Sequence, residues 1–240
     1  MNIAIVGYGR MGKEVDRIAR ERGHTVVARL DVSDEISEAT LKNAECCIEF
    51  SVPASAVRNI ECIASCGRNI VVGTTGWYNR LDEVSTLVEQ KKIGLLYAPN
   101  FSVGVNLFFS IVRTAARLLN PIDGYDAAVH EIHHRNKVDS PSGTALTIGK
   151  IILEEFLRKK SILTETSHQA ISPDQLHIVS TRSGTFPGTH EIMFDSALDT
   201  IELKHTMKSR SGFAFGAVLA AEWLAGRKGM FTFNDVLTSS

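Results

Sequence analysis

The sequence predicts an α/β protein with a doubly wound parallel sheet at the front and a second module of α+β type behind it. Three observations carry this expectation. Short apolar runs alternate with helix-periodic segments up to Tyr97, strand-like runs follow one another from Leu176 to Thr206, and a glycine-rich turn links the first strand to the first helix. Apolar strands separated by helices belong to a parallel sheet covered on both faces, whereas consecutive strands imply antiparallel or mixed pairing.

Each element has its own reason. Asn2–Val6 is a β-branched apolar run, and Met11, Val15, Ile18 and Ala19 recur at helical spacing over residues 10–22, where Gly23 ends the helix. Residues 24–30 and 44–50 read as strands, and Pro53 suits the first turn of a following helix. Residues 69–73 form an apolar strand, 79–92 a helix and 93–97 another strand. The rhythm changes after about Phe101. A helix is expected over 105–119, a half-exposed alternating strand over 125–134, and a helix from near Ser142 to about Lys159. A polar stretch then runs to Gln175. Strands are expected over 176–181, 189–194 and 200–206, with a last helix over 213–225.

Composition removes several function classes. The 240 residues suffice for a sizeable core. Lys+Arg number 26 against 27 Asp+Glu, so no basic field invites nucleic acid or an anionic membrane. No apolar run approaches the roughly 18 residues of a membrane span, and the first residues enter a strand instead of a secretory signal. Cys46, Cys47, Cys62 and Cys66 lack the C-x-x-C spacing of a zinc site, and reduced thiols in a cytoplasmic protein are expected.

The segment Gly7-Tyr8-Gly9-Arg10-Met11-Gly12 follows a strand, opens a helix and has Asp31 at the end of the next strand, 19 positions past Gly12. That is the spacing of a dinucleotide fingerprint. Gly7 makes the turn, Gly9 lets backbone approach a pyrophosphate, Gly12 permits close helix–strand packing, and the helix N-terminus receives phosphate. A carboxylate at Asp31 accepts the ribose hydroxyls of NAD and repels a 2′-phosphate, and Val32 supplies no compensating cation. NADH is therefore expected to be preferred, with Arg10 and Arg29 the cations through which NADPH could be tolerated. Gly73-Thr74-Thr75-Gly76 and Ala98-Pro99-Asn100-Phe101 fall where strands of the parallel sheet end, the side on which such sheets bind ligands.

The densest constellation is Glu131 to Thr144, where His133, His134, Arg135 and Lys137 precede a helix start at Ser142. A helix N-cap at Ser142 leaves the amides of Gly143 and Thr144 for an anion, so a dicarboxylate could meet dipole, imidazole and ammonium together. His130-Glu131-Ile132-His133-His134 also satisfies the H-E-x-x-H zinc pattern. That pattern needs a helix, and in a strand positions four apart lie about 13 Å from each other. No metal is expected.

These residues resemble the dihydrodipicolinate reductase (4-hydroxy-tetrahydrodipicolinate reductase) family of lysine and diaminopimelate biosynthesis. The resemblance runs through the glycine loop, residues 72–76 and 100–106, the E-x-H-H-x-x-K-x-D-x-P-S-G-T-A segment, Pro187–Glu191 and Ser209-Arg210. It implies a Rossmann-like cofactor domain over 1–102 completed by 212–240, and a substrate-binding and tetramerisation domain over 103–211. It implies a homotetramer in the cytoplasm. His133 would be the proton donor/acceptor and Lys137 a second proton donor, while His134, Gly143, Thr144 and Arg210 would hold substrate. The cofactor would touch the glycine loop (Gly7, Tyr8, Gly9, Arg10, Met11, Gly12), Asp31, Gly73, Thr74, Thr75 and Ala98, Pro99, Asn100, Phe101.

Three departures stand out. The glycine loop is one residue shorter than the family's common form, Val32 stands where an arginine is frequent, and Ser140 replaces the usual alanine. The expected reaction is hydride transfer from NAD(P)H to a cyclic unsaturated dicarboxylate, with His133 meeting the developing charge by a proton and Lys137 stabilising it. His133 and His134 can share one site only if the strand ends or twists between them. Two alternatives remain: another NAD-dependent small-dicarboxylate or amino-acid dehydrogenase, and a nucleotide-binding protein without turnover.

Overall fold

A computed structural model describes residues 1–238. The chain divides into two compact units, Met1–Val103 with Arg210–Ser240, and Gly104–Ser209. The passages between them fall one residue after and two residues before the expected boundaries at 102 and 212.

The first unit is built on six parallel strands: β1 (Asn2–Val6), β2 (Thr25–Leu30), β3 (Cys46–Glu49), β4 (Asn69–Val72), β5 (Gly94–Tyr97) and β11 (Gly229–Thr232), in the order β11-β5-β4-β3-β1-β2. Alternate residues of β1 serve opposite faces. Ile3 and Ile5 join one core with Val15, Ile18, Ala217 and Val218, while Ala4 and Val6 join another with Val57, Ile60, Val84 and Val88. Helices α1 (Arg10–Glu21) and α7 (Ser211–Trp223) therefore cover one face, and α3 (Pro53–Ser65) and α4 (Leu81–Lys91) the other. Burial on both sides is why these strands read as unbroken apolar runs. The chain runs from β1 outward to β2, then returns to β3 on the other side of β1, so the topological switch lies between β1 and β3.

The second unit places β6 (Asp126–His133) at the centre of a mixed sheet, β10-β9-β6-β8-β7, with β7 (Ser161–Leu163), β8 (Gln175–Arg182), β9 (Thr189–Asp195) and β10 (Thr200–Thr206). β9 runs antiparallel to β6 and β10, whereas β6, β8 and β7 are mutually parallel neighbours. The core combines Phe108, Val112 and Ala116 of α5 (Val103–Leu119) with Ile148 and Ile152 of α6 (Gly143–Glu155) and the strand residues Val129, Ile178 and Ile192. Both helices thus serve one face. β6 alternates accordingly, with Ala127, Val129, Glu131 and His133 buried.

Several elements differ from expectation. The helix expected to reach Lys159 ends at Glu155; the Leu157 amide is taken by the Asn120 side chain, and Lys159 turns inward to the carbonyls of Pro173 and Gln175. The polar stretch conceals β7. The four-residue helix α2 (Glu38–Leu41), the edge strand β11 and the short helix α8 (Phe233–Thr238) have no counterpart in the expectations. The four cysteines are free. Among the described residues no helix is long and apolar enough to cross a membrane.

Candidate active site

The glycine turn sits at the switch point. Gly7 has φ +90°, and a Cβ there would come within 2.2 Å of the Phe50 carbonyl oxygen, so only glycine fits. Gly12 abuts the Gly7 carbonyl at 2.3 Å in the same sense, while a Cβ on Gly9 would meet nothing within 4 Å. Gly9 caps α1 without any side-chain hydrogen bond, and the first turn carries no acid. The leading amides of α1 therefore meet no capping side chain, the arrangement that receives phosphate. A cavity of about 420 Å³ adjoins this turn, lined by Gly7, Gly9, Asp31, Ser51 and Asn59 among others. A second concavity of about 300 Å³ lies on Met11, Gly73, Pro99, Asn100, Phe101 and Arg210, and Phe50 borders both. These features fit a dinucleotide, with Asp31 exposed at the end of β2.

Tyr8 is anchored by donating its hydroxyl to Asp16 at 2.5 Å. Asp16 also receives Arg20 at 2.8 Å and Arg29 at 2.7 and 3.0 Å. Burial alone would push the Asp16 carboxyl up, but the hydrogen bonds from Arg29, Tyr8 and Arg20 overcome it and hold the group well below the ordinary carboxylate range. Arg29 is thus committed to Asp16, leaving Arg10, exposed, as the cation of the loop itself. Thr74 is buried and accepts the Ser51 amide at 2.8 Å; Thr75 and Pro99 are exposed, Ala98 and Phe101 buried.

In the second unit, strand register assembles a polar cluster. Glu131 and His133 are two apart on β6 and share its buried face. In the flanking strands Glu131 stands opposite His190 on β9, and His133 opposite Arg182 on β8. Glu131, fully buried, makes a short hydrogen bond through Oε2 with His133 Nδ1. Its Oε1 accepts from Arg182 at 2.7 Å and from the Ser142 amide at 3.2 Å. Ser142 caps α6 by accepting the Ala145 amide at 3.2 Å, and its hydroxyl also contacts His190 Nε2 at 3.1 Å. The His133 and His190 rings meet edge to face at 5.3 Å. Burial, aided by the neighbouring His133, pushes the His190 imidazole down to about 4, so it is neutral at neutral pH.

β6 ends at His133, which releases His134 from strand alternation; the His134 amide donates to the Phe186 carbonyl at 2.8 Å. Lys137 pairs with Asp139 at 2.7 and 2.9 Å and, with a smaller contribution from the nearby Gly143 amide, holds that carboxyl below its ordinary range. A carboxylate is thus already seated on Lys137, expected as a proton donor, and close to Gly143, expected to hold substrate. Gly143 is exposed and Thr144 half-buried at the start of α6. Arg210 lies in the first unit, in the concavity with Pro99–Phe101, not in the unit that holds His133.

The zinc pattern comes apart in the strand. His130 faces away from Glu131 and engages Thr181 at 3.0 Å. Glu131, His133 and His190 do bring ligand-type atoms within 4.8 Å of one another, but Arg182 and Ser142 already occupy the carboxylate and the pair reads as a proton network. The sequence placed Glu131 and His190 in motifs but gave neither them nor Arg182 a place in the site. Period-two spacing on β6 could have linked Glu131 to His133; nothing short of the β6–β8–β9 register could have found the other two.

A glycine turn at the switch point of a parallel sheet, with a buried carboxylate–imidazole pair in a second sheet, defines a dinucleotide-dependent oxidoreductase of two units. The model described as "Dihydrodipicolinate reductase, N-terminus" matches residues 1–101, and "Dihydrodipicolinate reductase, C-terminus" matches 104–237. The chain belongs to the dihydrodipicolinate reductase family. It is 40% identical to the 4-hydroxy-tetrahydrodipicolinate reductase of Christiangramia forsetii over 240 residues, 99% of this chain and 98% of that protein. The enzyme of the same name from Cupriavidus necator is 34% identical over 266 residues, 99% of each. Among solved structures, a dipicolinate-bound dihydrodipicolinate reductase from Paenisporosarcina sp. TG-14 superposes with a TM-score of 0.78, covering 97% of each chain at 23% identity, a likeness of fold.

Proposed function

We propose that this protein is a 4-hydroxy-tetrahydrodipicolinate reductase that acts in the diaminopimelate route to lysine, in the cytoplasm. The observation that carries this reading is the intact segment from Glu131 to Thr144, with His133, Lys137 and the α6 N-terminus together, in a chain matched by the family end to end. The bound nicotinamide supplies a hydride to the conjugated ring of a cyclic dicarboxylate. His133 gives the proton that neutralises the charge built on that ring, and Lys137 lowers the energy of the same charge from nearby. His134, Gly143 and Thr144 hold the substrate's carboxylates, which take over the place now filled by Asp139. Arg210 is a further substrate-holding residue of this reading.

The cofactor lies along the glycine loop, Asp31, Gly73–Thr75 and Ala98–Phe101, and NADH is preferred. Two features support the preference: Asp31, Asp34 and Glu35 outnumber the one cation, Arg58, around the first cavity, and Arg29 is held by Asp16. Like charges there disfavour a 2′-phosphate. A homotetramer built through the second unit is part of the same reading, supported by the sheet face that neither α5 nor α6 covers, where Val179 is 42% exposed.

The test couples the condensation product of aspartate semialdehyde and pyruvate to this protein and follows nicotinamide absorbance. Turnover with a higher kcat/KM for NADH than for NADPH is expected, and His133→Gln or Lys137→Ala should each lower kcat by roughly 10²-fold with NADH binding intact. Turnover of aspartate or diaminopimelate with none of the condensation product would assign the chain to the dehydrogenases instead.

A further inference from the structure

The Glu131 carboxylate has no part in the chemistry described so far, although it is fully buried and its two oxygens bond to three groups, His133, Arg182 and the Ser142 amide. Resting on the reading of His133 as proton donor, we propose that Glu131 is its positioning residue, fixing the ring with Nδ1–H directed inward so that Nε2 delivers the proton, and tying that ring to the α6 N-terminus through Ser142.

The geometry leaves little freedom. An ionised carboxylate can only accept, so the ring nitrogen bonded to it must carry hydrogen. Glu131 is ionised at neutral pH. Burial would push its carboxyl up, but the hydrogen bonds from His133 and Arg182 hold it well below the ordinary carboxylate range. Neutral His133 therefore holds its hydrogen on Nδ1, and the proton it gains on becoming imidazolium sits on Nε2. The Nε2 side is bordered by Gly188, where a Cβ would come within 2.9 Å of that nitrogen, so the room beside the proton-delivering atom depends on a residue without a side chain. Oε1 takes the Ser142 amide at 3.2 Å, one residue before the Gly143 and Thr144 amides proposed for the substrate carboxylate. One side chain thus sets the proton donor and the anion site in a common frame.

The charges nearest His133 are those of Glu131 on its own strand and Arg182 opposite it on β8, while Lys137 of the following loop, paired with Asp139, acts on the neighbouring His190. His190 faces it from β9 as a neutral ring, with His205 of β10 behind. Glu131 is the one anion among them in direct contact. Removing its charge takes away the one anion hydrogen-bonded to the ring and leaves the Arg182 cation opposite it on β8.

Glu131→Gln keeps the shape and one accepting oxygen, but it removes the charge and replaces the other acceptor with a donor. The expected result is a kcat lowered by roughly 10–100-fold with the NADH dissociation constant unchanged, and an alkaline limb of kcat/KM displaced to lower pH. Histidine ¹⁵N spectra of the whole wild-type enzyme should show neutral His133 protonated at Nδ1, a readout independent of activity. A wild-type ring protonated at Nε2 overturns the proposal, including where Glu131→Gln does not fold. An unmoved pH profile in a folded Glu131→Gln variant also overturns it, reducing Glu131 to a buried structural ion-pair partner of Arg182. Full turnover by His133→Gln is a different failure: it removes the reading of His133 while the wild-type tautomer still reports on the pair.

Discussion

At Gly188 the backbone adopts φ +153°, and its missing side chain is what separates the β9 approach from the His133 ring. Gly188→Ala would place a methyl 2.9 Å from Nε2, and the ring cannot swing away freely because Glu131 holds its other nitrogen. A displacement of an ångström in a proton donor can cost about 10²-fold in rate. Gly188→Ala is therefore expected to lower kcat by roughly 10–100-fold while leaving NADH affinity at the wild-type value, measured by steady-state kinetics beside fluorescence titration. Equal losses in both would place the damage elsewhere in the fold. At this scale the sequence was legible wherever chemistry follows chain spacing: the turn from Gly7 to Gly12, the acid at Asp31, and the helix cap at Ser142. It was not legible for Arg182 and His190. They reach Glu131 across strands, and pairing across strands is a property of register.

Helix α7 shows the same boundary at the level of elements. It is apolar on nearly every side, so its sequence has no polar stripe to aim it, although its existence was plain. The structure buries Ala214, Gly216, Ala217, Val218, Ala220 and Ala221 against the first unit's core. Small residues let the helix approach closely, and the tightest point is Gly216, where a Cβ would lie 1.7 Å from the Phe101 carbonyl oxygen. Backbone on both sides leaves nothing flexible to yield. Gly216→Ala should destabilise the protein by about 1–3 kcal/mol, seen as a lowered denaturant midpoint, and weaken NADH binding because Phe101 lines the second concavity. A wild-type midpoint would mean that α7 shifts without penalty. Short elements escaped for another reason. β7 has three residues and β11 four, each at a sheet edge and at most partly buried, so neither carries the buried apolar run that marked the equally short β3, β4 and β5.

Over the whole molecule, the buried ionisable groups make stability depend on pH in two stages with different origins. His190 is neutral in the fold, pushed down from 6.5 to about 4 by burial and by His133, whereas the unfolded chain protonates it near 6.5. Between those values the unfolded state binds more protons, so stability is complete above about pH 6.5 and declines as pH falls toward 4. Glu131 and Asp16 act at lower pH. Both are held below the ordinary carboxylate range, so their contribution is present above about pH 4.5 and is lost beneath it. The first stage should cost on the order of 2 kcal/mol between pH 7 and pH 5, from one residue that is 4% exposed. Urea unfolding at several pH values distinguishes the stages. His190→Gln removes the main titrating ring, and although losing the Ser142 contact lowers its stability at every pH, its decline between pH 7 and pH 5 should be clearly shallower than the wild type's, the remainder coming from His205, which burial also pushes down. The slope is the readout, not the level. Parallel slopes for the two proteins would show that His190 takes up its proton within the folded state, and would remove the neutral ring from the cluster around Glu131.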